Sequence, residues 1–255
     1  MSSTRHTRIL GSEHVMSKLI LTQYGKRPER NWFVAHLARR EYTAFARHLE
    51  GLIVQSGELL YAPGHAMSHV YFPAGAIISL VCCPSAERET EIALVADEGF
   101  VGQPVPKTGP IAVSKVVVQH DGAMLRVRRE TMRRLLAHSA SARELADRTR
   151  QALLDQVMLC AACNLGHSPR ERCARWLLML HDRVDGDEFP VKQEFLGYML
   201  GMARQTVSGV ASELQEHGSI EYRRGRVRIA DRELLERQAC QCYGTIRGRL
   251  QQLLS

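Results

Sequence analysis

Residues 193–220, QEFLGYMLGMARQTVSGVASELQEHGSI, constrain this chain more than any other stretch. Phe195, Leu196, Met199 and Leu200 repeat at helical spacing, and the pattern stops at Gly201. After a three-residue turn, a second helical pattern runs through Val207, Val210, Ala211 and Leu214 and ends near Gly218. Two helices joined by so short a glycine-containing turn form a helix-turn-helix, whose second helix can enter the major groove of DNA. Arg204, Gln205, Ser208 and Gly209 fall on the polar side near the start of that helix, where residues reach base edges. Val207 and Val210 are expected to pack inward.

The next residues extend the motif. Ser219-Ile220-Glu221-Tyr222 and Arg226-Val227-Arg228-Ile229 are β-prone runs around Arg223-Arg224-Gly225, which reads as a hairpin with a basic tip. Beside a helix-turn-helix such a hairpin is a wing. Arg223, Arg224 and Arg226 would sit against phosphates, adding affinity rather than sequence choice. The formal net charge of +7 agrees with double-stranded DNA as the partner. Asp185 to Glu188 reads as a solvated acidic turn.

The rest of the chain has a different texture. Residues 1–30 read as a basic tail, with Arg5, Arg8, Lys18, Lys26, Arg27 and Arg30 against only Glu13 and Glu29. No apolar run approaches the roughly 18 residues of a membrane span. Ser17 and Lys18 interrupt the run Val15 to Leu21, which argues against a signal peptide. One helical stretch is expected through Phe33, Leu37, Tyr42, Phe45 and Leu49. From Leu52 to about Val127 come short β-prone runs punctuated by glycine, the pattern of an antiparallel barrel or sandwich.

A long helix is expected from Ser141 to Leu165. Leu145, Thr149, Ala152, Gln156, Leu159 and Cys163 alternate by four and three residues, as a coiled-coil seam requires. That stripe predicts a homodimer through residues 141–165. A second stripe, Leu153, Leu154, Val157, Met158 and Ala161, would cover the barrel. Gly166-His167 ends the helix, and Ser168-Pro169-Arg170-Glu171 restarts one with an N-cap, a proline at the first position and a glutamate at the third. The expected fold class is α+β. It comprises a tail (1–30), a cupin-like or jelly-roll β-barrel (31–138), a dimerisation helix (139–166) and a winged helix-turn-helix domain (167–255).

In this order, and in specific residues, the chain resembles the Crp/Fnr family of bacterial transcription regulators. The barrel stretch GELLYAPGHAMSHVYFPAGAIISL carries Gly57, Leu60, Gly64, Val70, Tyr71, Phe72 and Gly75 at family positions, and Gly99-Phe100-Val101-Gly102 is similar to the family's turn before the effector pocket. Ala203-Arg204-Gln205-Thr206-Val207-Ser208 stands where the family usually reads Ser-Arg-Glu-Thr-Val-Ser or Gly. The resemblance implies a cytoplasmic bacterial regulator, homodimeric on a pseudo-palindromic operator, with RNA polymerase among its partners. It assigns DNA contacts to Arg204, Gln205, Thr206, Ser208 and Gly209. Arg204 keeps the side chain suited to guanine. Gln205 replaces a carboxylate that accepts from cytosine, and Gly209 removes a basic contact.

The resemblance also maps an effector pocket onto Gly102, Gln103, Val113 and Ser114. In the cyclic-nucleotide members a carboxylate holds the ribose and an arginine the cyclic phosphate; here Gln103 and Val113 stand there. An unpaired buried phosphodiester costs several kcal/mol, by roughly the scale for isolated buried ions, so the expected effector is not cyclic AMP.

Seven cysteines without the spacing of a small secreted domain read as reduced thiols. No cysteine precedes Cys82, so the N-terminal iron–sulfur cluster of the family's oxygen-sensing branch does not carry over. Cys160 and Cys163 read as packed seam residues, and Cys240 and Cys242 as the more exposed pair. No metal site and no cofactor is expected. The chain matches no nucleotide-cradling, dinucleotide, zinc-protease or nucleophile-elbow motif, so no enzyme is expected. The competing class is a thiol- or metal-responsive sensor controlled by its cysteines.

Overall fold

The computed structural model describes residues 30–85, 88–102, 111–191 and 193–255. Residues 1–29 of the basic tail lie outside this set; Arg30 lies within it and pairs with Asp97. The chain separates into two compact units, one reaching to Leu80 and resuming over Val95–Leu153, the other built from Val81–Leu94 and Leu154–Leu253. No helix among the described residues is long and apolar enough to cross a membrane.

The first unit opens with α1 (Trp32–His36) and α2 (Arg39–Ala46). Leu37 is extended between them (φ −62°, ψ 134°), so the single helix expected over this stretch is two. The five-residue step from Leu37 to Tyr42, out of helical phase, marks the break. Asn31 starts α1: its side-chain oxygen accepts from the Val34 N–H, and its amide donates to the carbonyls of Pro73 (3.0 Å) and Gly99 (2.7 Å). This fully buried polar residue is therefore satisfied, as burial demands.

Seven strands follow along the chain, of which β5 and the end of β4 fall in the second unit: β1 (Glu50–Val54), β2 (Leu59–Tyr61), β3 (His69–Pro73), β4 (Ile77–Ser85), β5 (Arg88–Val95), β6 (Lys115–His120) and β7 (Gly122–Arg128). They form two sheets, ordered β1-β7-β3 and β2-β6-β4-β5, rather than one closed ring among the described residues. Leu52, Tyr71 and Met124 from one sheet and Tyr61, Ile78, Val116 and Val118 from the other share one core. The jelly-roll expectation thus takes the form of two layers. A second core lies under the helices, where Phe33, Phe72 and Phe100 pack with ring centroids 5.2–5.7 Å apart.

After α3 (Arg129–His138), the 27-residue α4 runs Ala140–Gly166. The expected seam face is corrected here. Thr149 (4% exposed), Gln156 (5%) and Cys163 (0%) are buried within their own chain, and the Gln156 amide donates to the Leu94 carbonyl at 2.9 Å. Leu154 (51%), Met158 (53%) and Leu165 (92%) are exposed instead. Leu153 of the second stripe does pack against the intersheet core as expected, so the second stripe is covered only in part; both stripes have helical spacing, and spacing does not say which the same chain covers.

In the second unit, α5 (Pro169–His181) starts as its residues dictate. Ser168 and Glu171 form a capping box around Pro169, with the Glu171 carboxylate accepting from the Ser168 N–H at 2.8 Å. Every residue from Cys173 to Leu180 is buried, so α5 is the helix around which the unit packs. There follow β8 (Glu188–Pro190), α6 (Gln193–Leu200), α7 (Arg204–Glu216), β9 (Ile220–Arg223), β10 (Arg226–Ile229), α8 (Arg232–Gln238) and α9 (Cys242–Leu254). The strand β8 is a second correction. Glu188 is its first residue rather than part of a solvated turn, and fully buried Phe189 pairs with Val227 of β10.

Candidate nucleic-acid interface and a buried thiol cluster

The turn Gly201-Met202-Ala203 joins α6 to α7 as anticipated, with Gly201 in the left-handed region (φ +60°) that a helix end favours. Arg172 donates to the Leu200 carbonyl, satisfying a group that the end of α6 leaves open. Val207 (1% exposed), Val210 (7%), Ala211 (5%) and Leu214 (0%) form the inward stripe of α7 at i, i+3, i+4, i+7. Arg170 pairs with Glu213 at 2.8 Å on the flank.

The opposite side of α7 carries the residues expected from the sequence to contact DNA. Gln205, Thr206 and Gly209 are exposed and Ser208 is half-buried; Arg204 begins the helix, its side chain lying outside the described part. A side chain at Gly209 would meet nothing within 4 Å. Glycine inside a helix costs about 1 kcal/mol relative to alanine, and no packing here requires it. Its effect is a bare patch of backbone on the exposed face.

The wing is tighter than expected. Arg223 ends β9 and pairs in register with Arg226, leaving Arg224-Gly225 as a two-residue turn. Both have positive φ (49° and 75°), as a type I′ hairpin needs. β10 lies between β9 and β8. β8 supplies Glu188 to pair with Arg226, and within the hairpin Arg228 pairs with Glu221 of β9 at 2.5 Å. Such exposed pairs contribute little stability, but each puts a carboxylate beside its arginine. Arg223 and Arg224 stand exposed at the tip.

Of the four residues mapped onto an effector pocket, three lie among the described residues. Gly102 is buried, Val113 is 93% exposed, Ser114 is half-buried, and Gln103 lies outside the described residues. Among the described residues, apolar side chains from both sheets share one core. A groove of about 570 Å³ lies elsewhere in this unit, between α2 and α3, lined by Arg40, Glu41, Phe45, His48, Leu135 and His138.

The cysteines depart furthest from expectation. Cys240 (4% exposed) and Cys242 (7%) are buried rather than exposed. Cys240 Sγ lies 3.4 Å from Cys163 Sγ, and Cys242 Sγ lies 3.7 Å from His167 Nδ1. All four ligand atoms fall within 4.8 Å of one another. The Cys163 thiol is held well below its ordinary pKa, first by the hydrogen bond with Cys240 and then by Arg175 against the effect of burial. Cys240 is pushed up in turn. Cys160 stands apart, raised to about 11 by burial, with Arg175 donating to its sulfur at 3.3 Å. Adjacent spacing pairs Cys163 with Cys160 in the sequence; the available signal for the observed grouping was His167, one helical turn beyond Cys163.

Residues 171–238 match the family model of the Crp-like helix-turn-helix domain. No curated protein matches the chain in sequence. Among solved structures, FixK2 from Bradyrhizobium japonicum is 17% identical with a TM-score of 0.64, covering 75% of this chain and 98% of its own. A CRP-family transcriptional regulator from Thermus thermophilus, TTHB099, is 20% identical with a TM-score of 0.63, covering 73% and 95%. The c-di-GMP-responsive global regulator CLP from Xanthomonas campestris is 15% identical with a TM-score of 0.60, covering 76% and 100%. Residues 171–238 are thus a Crp-like helix-turn-helix domain, and the chain as a whole has the fold of the Crp/Fnr transcription regulators.

Proposed function

We propose that the protein is a homodimeric transcription regulator that places two copies of α7 in successive major grooves of a pseudo-palindromic operator, about 34 Å apart. The observation that carries this reading is the α7 face itself: an apolar stripe holds the helix in its domain while Gln205, Thr206 and Gly209 stand exposed beside a basic wing tip. The dimer contact belongs to the exposed stripe of α4. Leu154, Met158, Ala161 and Leu165 recur at steps of four, three and four, the spacing of a coiled-coil seam, and burying them removes apolar surface from water.

Site selection from random DNA tests the reading. The wild type should recover a dyad-symmetric motif; recovery of none sinks the proposal. Arg204→Ala should weaken binding by about 1–3 kcal/mol and relax one base pair per half-site. Gln205→Glu should change the preferred half-site, because a carboxylate only accepts whereas the amide both donates and accepts toward adenine. Identical half-sites for Gln205→Glu and wild type would refute that assignment.

The effector is not cyclic AMP in this reading. Val113 has no charge to offer a phosphodiester and is exposed, and the intersheet core is apolar. Calorimetry should register no binding of cyclic AMP or cyclic GMP, and operator affinity should not change with either. Tight binding of one nucleotide, with a matching change in operator affinity, would overturn this.

A further inference from the structure

We propose that Cys163, His167, Cys240 and Cys242 are a closed Cys3His site for Zn²⁺. Zinc–sulfur bonds of about 2.3 Å and zinc–nitrogen bonds of about 2.0–2.1 Å, arranged tetrahedrally, set ligand atoms about 3.6–3.8 Å apart. The Cys163–Cys240 and Cys242–His167 separations, 3.4 and 3.7 Å, are close to that spacing. Three sulfurs and one imidazole, with no carboxylate in the cluster, select zinc over the harder divalent cations. Four protein ligands leave no open position, so the ion is structural or regulatory rather than catalytic.

A second observation points to the same group. Arg175 is 4% exposed; its Nη1 donates to Cys160 Sγ at 3.3 Å and to Met179 Sδ at 3.1 Å, and the Cys163 and Cys240 thiols are near enough to bear on its charge. A guanidinium this deeply buried needs an anion beside it. Zn²⁺ with three thiolates and a neutral imidazole carries one net negative charge, which complements Arg175. A Cys163–Cys240 disulfide would use two of the four donors, leave Cys242 and His167 facing each other, and supply no anion.

The placement gives the ion a task. Cys163 lies in the last turn of α4 and His167 just beyond it, while Cys240 precedes α9 and Cys242 begins it. The ion therefore ties together segments 77 residues apart, at the end of the long helix from which the DNA-binding residues continue. Binding energy at such a site is also folding energy for the segments it joins.

Full-length protein purified under reducing conditions should contain one zinc per chain by elemental analysis, released stoichiometrically when the thiols are blocked. Cobalt added to the chelated wild type should give the strong visible bands of a tetrahedral ion and a thiolate-to-cobalt charge-transfer band. Cys242→Ser and His167→Ala should each lower zinc affinity more than tenfold, with Cys82→Ser unchanged. Absence of stoichiometric zinc together with a cobalt spectrum lacking both signatures would overturn the proposal. So would a Cys163–Cys240 disulfide in zinc-free protein isolated anaerobically, or unaltered metal binding in Cys242→Ser. The wild-type cobalt spectrum decides the matter even if a variant fails to fold, and neither metal readout depends on operator binding.

Discussion

Trp176→Ala is expected to destabilise the second unit by about 3–5 kcal/mol, the cost of emptying a buried aromatic site. Trp176 is 1% exposed at the centre of α5, and its indole N–H donates to Glu91 at 2.8 Å. Glu91 is itself buried, on β5 within the Val81–Leu94 segment of the same unit. The substitution therefore removes both apolar volume and a donor from a desolvated carboxylate. Trp176→Phe separates the two effects: it keeps most of the volume and loses the N–H, with an expected cost of about 1–3 kcal/mol. Urea unfolding followed by far-ultraviolet circular dichroism measures both. Only two tryptophans are present, so Trp32 then reports the first unit alone by fluorescence. A loss below about 1 kcal/mol for the alanine variant would mean that α5 does not organise the unit.

Gly102→Ala should cost the first unit about 3–4 kcal/mol, through two separable causes. Gly102 has φ +89°, and a Cβ there would lie 2.2 Å from the His69 carbonyl oxygen and 3.2 Å from Val70 Cα. Those are backbone atoms of β3, which is paired with β7 (His69 with Arg128, Val70 with Val127), so they yield little. Gly57 is the internal control. It has the same φ of +89° but nothing within 4 Å, so Gly57→Ala carries only the left-handed penalty of about 1–2 kcal/mol. Thermal unfolding of the two variants compares them directly. Equal losses would show that the approach to β3 imposes no constraint beyond the dihedral angle.

Much of the DNA-binding half was legible because its signals are local. The apolar stripe of α7, the turn at Gly201 and the capping box of Ser168 and Glu171 each depend on residues within a few positions of one another. The strand pattern of the first unit was legible for the same reason. Its division into two sheets depends on pairings between distant strands, such as β1 with β7, which alternation within a strand does not encode.

The sequence by itself determined the turn at Gly201, the capping box that starts α5 and which face of α7 is polar, since these follow from backbone dihedrals, caps and periodicity. Only the tertiary structure decided which of the two α4 stripes is covered, because both have helical spacing and burial depends on what else packs there. It also decided that Glu188 joins β8 and shares the charge of Arg226, and that Arg175 is buried with its guanidinium against the sulfurs of Cys160 and Met179. The grouping of Cys163 and His167 with Cys240 and Cys242 is the clearest case. Ligand atoms meet through the folding of segments that share no local pattern, so their chemistry appears only once the chain has closed on itself.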